Sequence, residues 1–247
     1  MKKFGLIGYP LTHSFSKKYF SDKFSREHQA DCQYDLFEIP SIRELPALLA
    51  REPDLLGLNV TIPYKEQVIP FLDRLDPACK EIGAVNCIKI AGKELVGYNT
   101  DYFGFRESLI KWLGKERPKA LILGTGGASR AVAQALKSLN MDYLKITRKN
   151  SLSIGGMITY ADLKNQIHLI WDYPLIINTT PLGTYPEVDI APEIPFEQIG
   201  PQNWVYDLVY NPKETLLMKL AGQRGCPAKN GMEMLHLQAE ASWEIWQ

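Results

Sequence analysis

The stretch "KALILGTGGASRAVAQAL", residues 119 to 136, constrains the fold more than any other. A short, wholly apolar run ends at Leu123, glycines follow at positions 124, 126 and 127, and residues with helical spacing follow those. A buried strand that turns through glycines into a helix is the repeating unit of a parallel α/β sheet. Glycine allows the tight turn and lets backbone N–H groups approach a phosphate, and the helix N-terminus adds partial positive charge. The spacing is G-x-G-G-A-S rather than G-x-G-x-x-G, so the bare pattern also suits a plain glycine-rich turn. The strand–loop–helix context favours a nucleotide site.

The end of the next strand distinguishes between dinucleotides. NAD sites place an acid there for the ribose 2′-hydroxyl, whereas NADP sites place arginine near the 2′-phosphate. Here "YLKI" runs into Thr147, Arg148, Lys149 and Asn150, with no acid. A carboxylate would repel the phosphate and these cations attract it, which favours NADP; the alternative is a solvated basic turn.

Elsewhere the chain alternates strand-like and helix-like segments. "KFGLIG", "YDLFEI" and "LLGLNVTI" read as strands, and "SKKYFSDKFSREHQ", "IRELPALLA" and "KEQVIPFLDRL" read as helices, the last kinked at Pro70. "NCIKIAGKELVGYN" reads as a hairpin around Ala91-Gly92. Further on, "PLIINTT" and "NWVYDLV" are strands, "PKETLLMKLAGQRG" is a helix, and "GMEMLHLQAEASWEIW" is a final amphipathic helix. The pattern predicts two α/β lobes joined near residues 100 to 115.

Charge and cysteine usage exclude several classes. Lys plus Arg equals Asp plus Glu at 28 each, so no basic excess marks a nucleic-acid binder. The four cysteines show no C-x-x-C spacing, which argues against a metal site and for a reducing, cytoplasmic setting. No run approaches a membrane span, and Gly8 and Pro10 interrupt the first apolar run, as in a core strand rather than a signal peptide. A neutral chain without heptads is expected to be a monomer or a weak homodimer.

The first lobe holds polar residues where strands end. In "NVTIPYKEQ" the strand delivers Thr61 and then Lys65, and "HSFSKK", "GAVNC" and "GYNTDYFGF" add Ser14, Ser16, Asn86 and Asp101. Ligands of open parallel sheets bind at the carboxyl ends of strands. Hydroxyls, an amide, an amine and a carboxylate converging there suit a small polyhydroxylated acid. Each residue also has a local alternative: Ser14, Ser16 and Asp101 as helix caps, and Lys65 as a solvated first-turn lysine. A lysine in a first turn opposes the helix dipole, a conflict that marks residues kept for chemistry.

Taken in order, "GYPLTHSFSKKYF", "GLNVTIPYKEQV", "EIGAVNCI", "GYNTDYFGF", "GTGGASRAV", "NTTPLG", "YDLVYNP" and "NGMEMLHLQA" resemble the shikimate dehydrogenase family nearly end to end. The resemblance implies an N-terminal, mostly parallel substrate lobe and a Rossmann-like NADP lobe, with a cleft between them. It places the substrate lobe at 1–101, completed by 232–247, and the dinucleotide lobe at 102–231. It implies that Ser14 and Ser16, helped by Tyr210, hold a substrate carboxylate, and that Thr61, Asn86 and Gln238 meet the ring hydroxyls. Lys65 and Asp101 resemble the catalytic pair at the hydroxyl that becomes a ketone. Gly124, Gly126, Gly127, Ala128, Ser129, Thr147, Arg148 and Lys149 resemble the cofactor site, and Leu208 and Gly231 lie where the family meets nicotinamide. The family's longer segment after the basic turn is shortened here, and T-R-K stands where N-R-T is commoner. The implied activity is NADP-dependent interconversion of 3-dehydroshikimate and shikimate in aromatic amino-acid biosynthesis. A quinate/shikimate enzyme with relaxed cofactor use and a non-catalytic metabolite sensor are the alternatives.

Overall fold

A computed structural model describes residues 1–11, 14–148 and 157–247. The chain forms two compact units: Met1–Thr100 together with Gln238–Gln247, and Asp101–Leu237.

The first unit is built on a six-stranded sheet of β1 (Lys2–Gly8), β2 (Cys32–Glu38), β3 (Leu55–Val60), β4 (Arg74–Leu75), β5 (Cys87–Ala91) and β6 (Glu94–Tyr98), in the order β2-β1-β3-β5-β6-β4. β1 pairs in parallel with β2 and β3, as does β4 with β6; β5 runs antiparallel to both of its neighbours. The β5–β6 hairpin is the expected one, with its turn at Gly92-Lys93. Gly92 has φ +65°, a left-handed conformation that glycine adopts without a Cβ penalty. "KEQVIPFLDRL" is not one kinked helix. The helix Tyr64–Gln67 stops, a 3₁₀ turn spans Ile69–Phe71, and the chain then enters β4. Pro70 offers no N–H to an α-helical ladder, and the turn passes it in the tighter form.

Strand alternation assigns the two faces of this sheet. Leu58 and Val60 join Ile7, Leu45, Leu48, Tyr64 and Val68 in an aliphatic layer. Phe4 and Leu6 face the other way, with Phe20 and Phe24 of the helix Phe15–Arg26 and Trp243 and Trp246 of the helix Met232–Trp246. Phe4 stacks on Trp246 at 5.1 Å, and Phe24 lies 5.2 Å from Trp243. Gly57 lies in β3 under Trp246: a Cβ there would sit 2.2 Å from the indole Nε1, which donates to the Ile88 carbonyl at 3.0 Å. Asn59, two residues on, shares that face and is buried.

The second unit has β7 (Ala120–Leu123), β8 (Tyr143–Thr147), β9 (Met157–Thr159), β10 (Leu175–Asn178), β11 (Trp204–Asp207) and β12 (Ala228–Asn230), ordered β12-β11-β10-β7-β8-β9. All of their pairings are parallel. The order reverses between β7 and β10, the topological switch point of a doubly wound dinucleotide fold. β7 and β10 are fully buried, with Leu121, Leu123 and Ile176 facing one helical layer and Ala120, Ile122, Leu175 and Ile177 the other. Residues buried on both faces explain why these strands read as continuous apolar runs rather than as alternation.

Candidate active site

In the first unit Thr61 and Lys65 are held by the backbone on either side of the β3 end. The Thr61 amide donates to the Ile7 carbonyl at 3.0 Å, and Tyr64 N donates to the Thr61 carbonyl at 2.9 Å. The Tyr64 hydroxyl donates to the Ile39 carbonyl at 2.5 Å and pins the short helix that carries Lys65. The Lys65 carbonyl accepts from Val85 N at 2.7 Å, and the Asn86 carbonyl accepts from Val60 N at 2.9 Å. A Cβ on Gly8 would lie 2.5 Å from the Thr61 methyl, so the glycine makes room for that side chain. Both Thr61 and Lys65 are half-buried.

A buried polar network spans the rest of this unit. Ser14 caps the helix Phe15–Arg26, its Oγ accepting from Lys17 N at 3.3 Å. Ser16, in the first turn, hydrogen-bonds Tyr34, whose hydroxyl donates to Asn59 Oδ1 at 2.8 Å. Burial pushes the Tyr34 phenol well above its usual range, so it acts as a neutral link. Asn59 Nδ2 donates to Ser242 Oγ at 3.0 Å. Ser242 Oγ lies 3.1 Å from Thr100 Oγ1, and Thr100 Oγ1 lies 3.4 Å from Gln238 Oε1. Asn86 faces Thr100 with both ends of its amide: Oδ1 accepts from Thr100 N at 2.6 Å and Nδ2 donates to Thr100 Oγ1 at 3.0 Å. The network thus joins Ser16, Asn86 and Gln238, and Asp101 is the residue that follows Thr100. Tyr34, Asn59, Thr100 and Ser242 were not singled out as site residues from the sequence. Asn59 was the detectable one, as a polar side chain inside a buried strand.

In the second unit the glycine loop lies at the switch point. Gly124 has φ +111°, and a Cβ there would meet Thr179 Oγ1 at 2.8 Å. The Thr179 hydroxyl donates to the Leu123 carbonyl at 2.7 Å and ties the ends of β7 and β10 together. Cβ atoms added at Gly126 and Gly127 would meet nothing within 4 Å. The helix Gly127–Ser138 starts there with no side-chain cap and no acid in its first turn. Its N–H groups and dipole are therefore available to an anion. The Ser129 hydroxyl is turned back onto the Gly126 carbonyl at 2.8 Å, shaping the loop. Thr147 is buried at the end of β8 and Arg148 is exposed just beyond it; Lys149 lies outside the described residues. A glycine turn with open space beside Gly126 and Gly127, and an arginine at the neighbouring strand end, fits a phosphorylated dinucleotide.

At the end of β11 the buried Asp207 carboxylate accepts from Asn178 Nδ2 at 2.9 Å, Val209 N at 3.0 Å and Thr215 Oγ1 at 2.7 Å. Burial pushes its carboxyl up, and bonds from Thr215, Val209 and Asn178 pull it back. These bonds fix Leu208 to Tyr210, and Leu208 N adds a bond to the Asn178 carbonyl at 3.0 Å. Gly231 packs against Leu208, and Tyr210 is half-buried nearby in sequence, its phenol pushed up by burial. Among the described residues no helix is long and apolar enough to cross a membrane, and no group of His, Cys, Asp and Glu is placed to hold a metal ion.

Comparison with known proteins agrees with this geometry. Residues 6–88 match the family model for the shikimate dehydrogenase substrate binding domain. The shikimate dehydrogenase (NADP(+)) of Methanococcus aeolicus is 37% identical over 257 residues, covering 99% of this chain and 91% of its own. A chorismate mutase/shikimate 5-dehydrogenase fusion protein from Clostridium acetobutylicum superposes with a TM-score of 0.88 at 37% identity, over 100% of this chain and 91% of that one. The Thermus thermophilus shikimate 5-dehydrogenase in complex with NADP(H) and shikimate superposes with a TM-score of 0.82 at 27% identity, over 100% and 94% of the two chains. With relatives of this identity aligned over nearly its whole length, the chain belongs to the shikimate dehydrogenase family.

Proposed function

We propose that this protein is an NADP-dependent shikimate dehydrogenase that interconverts 3-dehydroshikimate and shikimate. Residues 1–101 with 232–247 hold the substrate, and 102–231 hold the dinucleotide. The observation that carries the reading is the setting of Asn86. Its buried side-chain amide is bonded to Thr100 at both ends, its main-chain carbonyl holds Val60 beside Thr61, and the N–H of its neighbour Val85 holds the Lys65 carbonyl. The main chain at residues 85 and 86 and the Asn86 side chain together tie the Thr61 and Lys65 strand end to the chain that continues directly into Asp101.

In this reading Ser14 and Ser16, with Tyr210, hold the substrate carboxylate, and Thr61, Asn86 and Gln238 meet the ring hydroxyls. NADPH supplies a hydride when bound, held by Gly124, Gly126, Gly127, Ala128, Ser129, Thr147, Arg148 and Lys149 on its phosphate side and by Leu208 and Gly231 at the nicotinamide. Hydride arrival builds negative charge on the ketone oxygen. The Lys65 ammonium stabilises that charge and donates the proton, and Asp101 orients the amine. In the reverse direction the same pair receives the hydroxyl proton. Arg148 gives the preference for NADP over NAD by meeting the 2′-phosphate. The four cysteines are free thiols, which supports a cytoplasmic setting, and the balanced charge supports a monomer or weak homodimer.

The test is nicotinamide reduction with shikimate or quinate, each paired with NADP⁺ or NAD⁺, with Lys65→Ala run alongside. Turnover confined to shikimate and NADP⁺, lost in the variant while shikimate still binds, supports the proposal. Equal use of quinate or NAD⁺ points to the relaxed enzyme, and binding without turnover points to a sensor.

A further inference from the structure

We infer that Ser242 is a positioning residue for the substrate amides, acting by deciding where the Thr100 proton goes. The inference rests on the assignment of Gln238 and Asn86 to the ring hydroxyls.

Proton accounting within the first unit gives the argument. Ser242 is fully buried, and its Oγ meets the Gln238 main-chain carbonyl at 2.9 Å, Asn59 Nδ2 at 3.0 Å and Thr100 Oγ1 at 3.1 Å, with the Cys87 thiol as a further partner. A hydroxyl has one proton and two lone pairs. A carbonyl only accepts and an amide nitrogen only donates. The Ser242 proton therefore goes to the Gln238 main-chain carbonyl, one lone pair takes Asn59, and the other takes the Thr100 hydroxyl ahead of the Cys87 thiol, which is only a weak donor. Thr100 Oγ1 accepts from Asn86 Nδ2 and has a single proton for three acceptors: Ser242 Oγ at 3.1 Å, Asn86 Oδ1 at 3.2 Å and Gln238 Oε1 at 3.4 Å. Asn86 Oδ1 already takes the Thr100 N–H at 2.6 Å. Ser242 is the shortest of the three and draws the Thr100 proton to itself.

Removing the Ser242 hydroxyl has two consequences. Asn59 Nδ2 keeps only its 3.3 Å bond to the Asn86 carbonyl. The Thr100 proton passes to Gln238 Oε1 or Asn86 Oδ1, and the amides that meet the substrate turn toward Thr100. The serine thus acts on substrate binding through Gln238 and Asn86 while touching no substrate atom itself.

The experiment is steady-state kinetics of the full chain carrying Ser242→Ala, with and without Gln238→Ala, beside thermal melting. KM for shikimate should rise about 3- to 10-fold, the size of one or two lost neutral hydrogen bonds. kcat and KM for NADP⁺ should stay within about twofold, since neither the proton donor nor the dinucleotide loop is touched. The rise should shrink or vanish in the Gln238→Ala background, because residues acting in one network are not additive. If Ser242→Ala does not fold, Ser242→Cys, of similar volume and weaker hydrogen bonding, is read the same way. A lowered melting temperature with unchanged KM would show a purely structural serine and overturn the inference. So would an equal rise in both backgrounds. If Gln238→Ala alone left KM for shikimate unchanged, the assignment of Gln238 itself would fall, and the inference with it.

Discussion

Gly231 lies against the backbone of Leu208 so closely that a Cβ on the glycine would sit 2.1 Å from the Leu208 carbonyl oxygen. The obstructing atoms are main chain, and Leu208 is itself tied to Asn178 and flanked by the Asp207 network, so neither side can yield cheaply. Gly231→Ala should cost about 1–3 kcal/mol, as overpacking does, and raise KM for NADP⁺ by about tenfold or more. Melting curves and cofactor titration check both effects. An alanine variant with ordinary cofactor affinity would remove Leu208 and Gly231 from the nicotinamide site.

Lys65 is assigned as proton donor, so Lys65→Ala should lower kcat by about 10²- to 10⁴-fold, the usual contribution of positioned acid–base groups. Its backbone neighbours, Val85 and the Tyr64 turn, do not depend on the side chain. Shikimate binding by calorimetry should therefore persist. Loss of binding together with turnover would make Lys65 a binding residue instead.

Arg148 is exposed at the end of β8, where an ion pair with a 2′-phosphate would be open to solvent. Arg148→Ala should raise KM for NADP⁺ about tenfold while leaving KM for NAD⁺ nearly unchanged. The wild-type preference for NADP⁺ should weaken as salt is raised toward 1 M, since exposed charges are screened over a few ångströms there. Parallel KM changes for both dinucleotides would contradict the assignment.

Lys23 is a buried cation. Its ammonium bonds Glu27 at 2.9 Å and Glu240 at 2.7 Å, and Tyr19 also hydrogen-bonds Glu240. Burial alone would push the Lys23 ammonium down, but its bonds to Glu240 and Glu27 outweigh it and hold the group above its usual value. A lysine raised on folding stabilises the protein fully below its unfolded value, and the contribution is lost as pH rises through the folded one. Lys23→Met should therefore melt lower than wild type at pH 7, and the gap should close above about pH 10.5, near the unfolded value for lysine. A gap that stays constant up to pH 11.5 would assign the effect to packing.

What could be read from the sequence was what short-range chemistry specifies. The run Ala120–Leu123 entering glycines gave β7, the loop and the parallel sheet, because glycine and a doubly buried strand leave few other geometries. The 65–75 segment misled because its apolar spacing suits a helix while Pro70 lacks the N–H that a helix needs. Asn59, Thr100 and Ser242 escaped for a different reason. Thr100 and Ser242 are unremarkable polar residues locally, Asn59 shows only as a polar residue in a buried strand, and the meeting of Asn59 with Ser242 brings residues 183 positions apart within 3.0 Å. Ser242 in particular looks like a helix-interior serine until β3 and Thr100 are placed beside it.

The packing of Trp243 against Phe4 and Phe24, and of Trp246 on Phe4 and over Gly57, has a consequence for how the polypeptide matures. The first unit is discontinuous, since Gln238–Gln247 belongs with Met1–Thr100, whereas Asp101–Leu237 is one unbroken stretch. During translation the sheet residues emerge first, yet the aromatic face formed by Phe4, Phe20, Phe24 and Tyr34 stays uncovered until the tryptophans are made. The later-synthesised unit can finish folding while the earlier one waits. This reverses the usual order in which N-terminal domains fold first on the ribosome, and a nascent chain halted before Gln238 would expose that aromatic surface to chaperones.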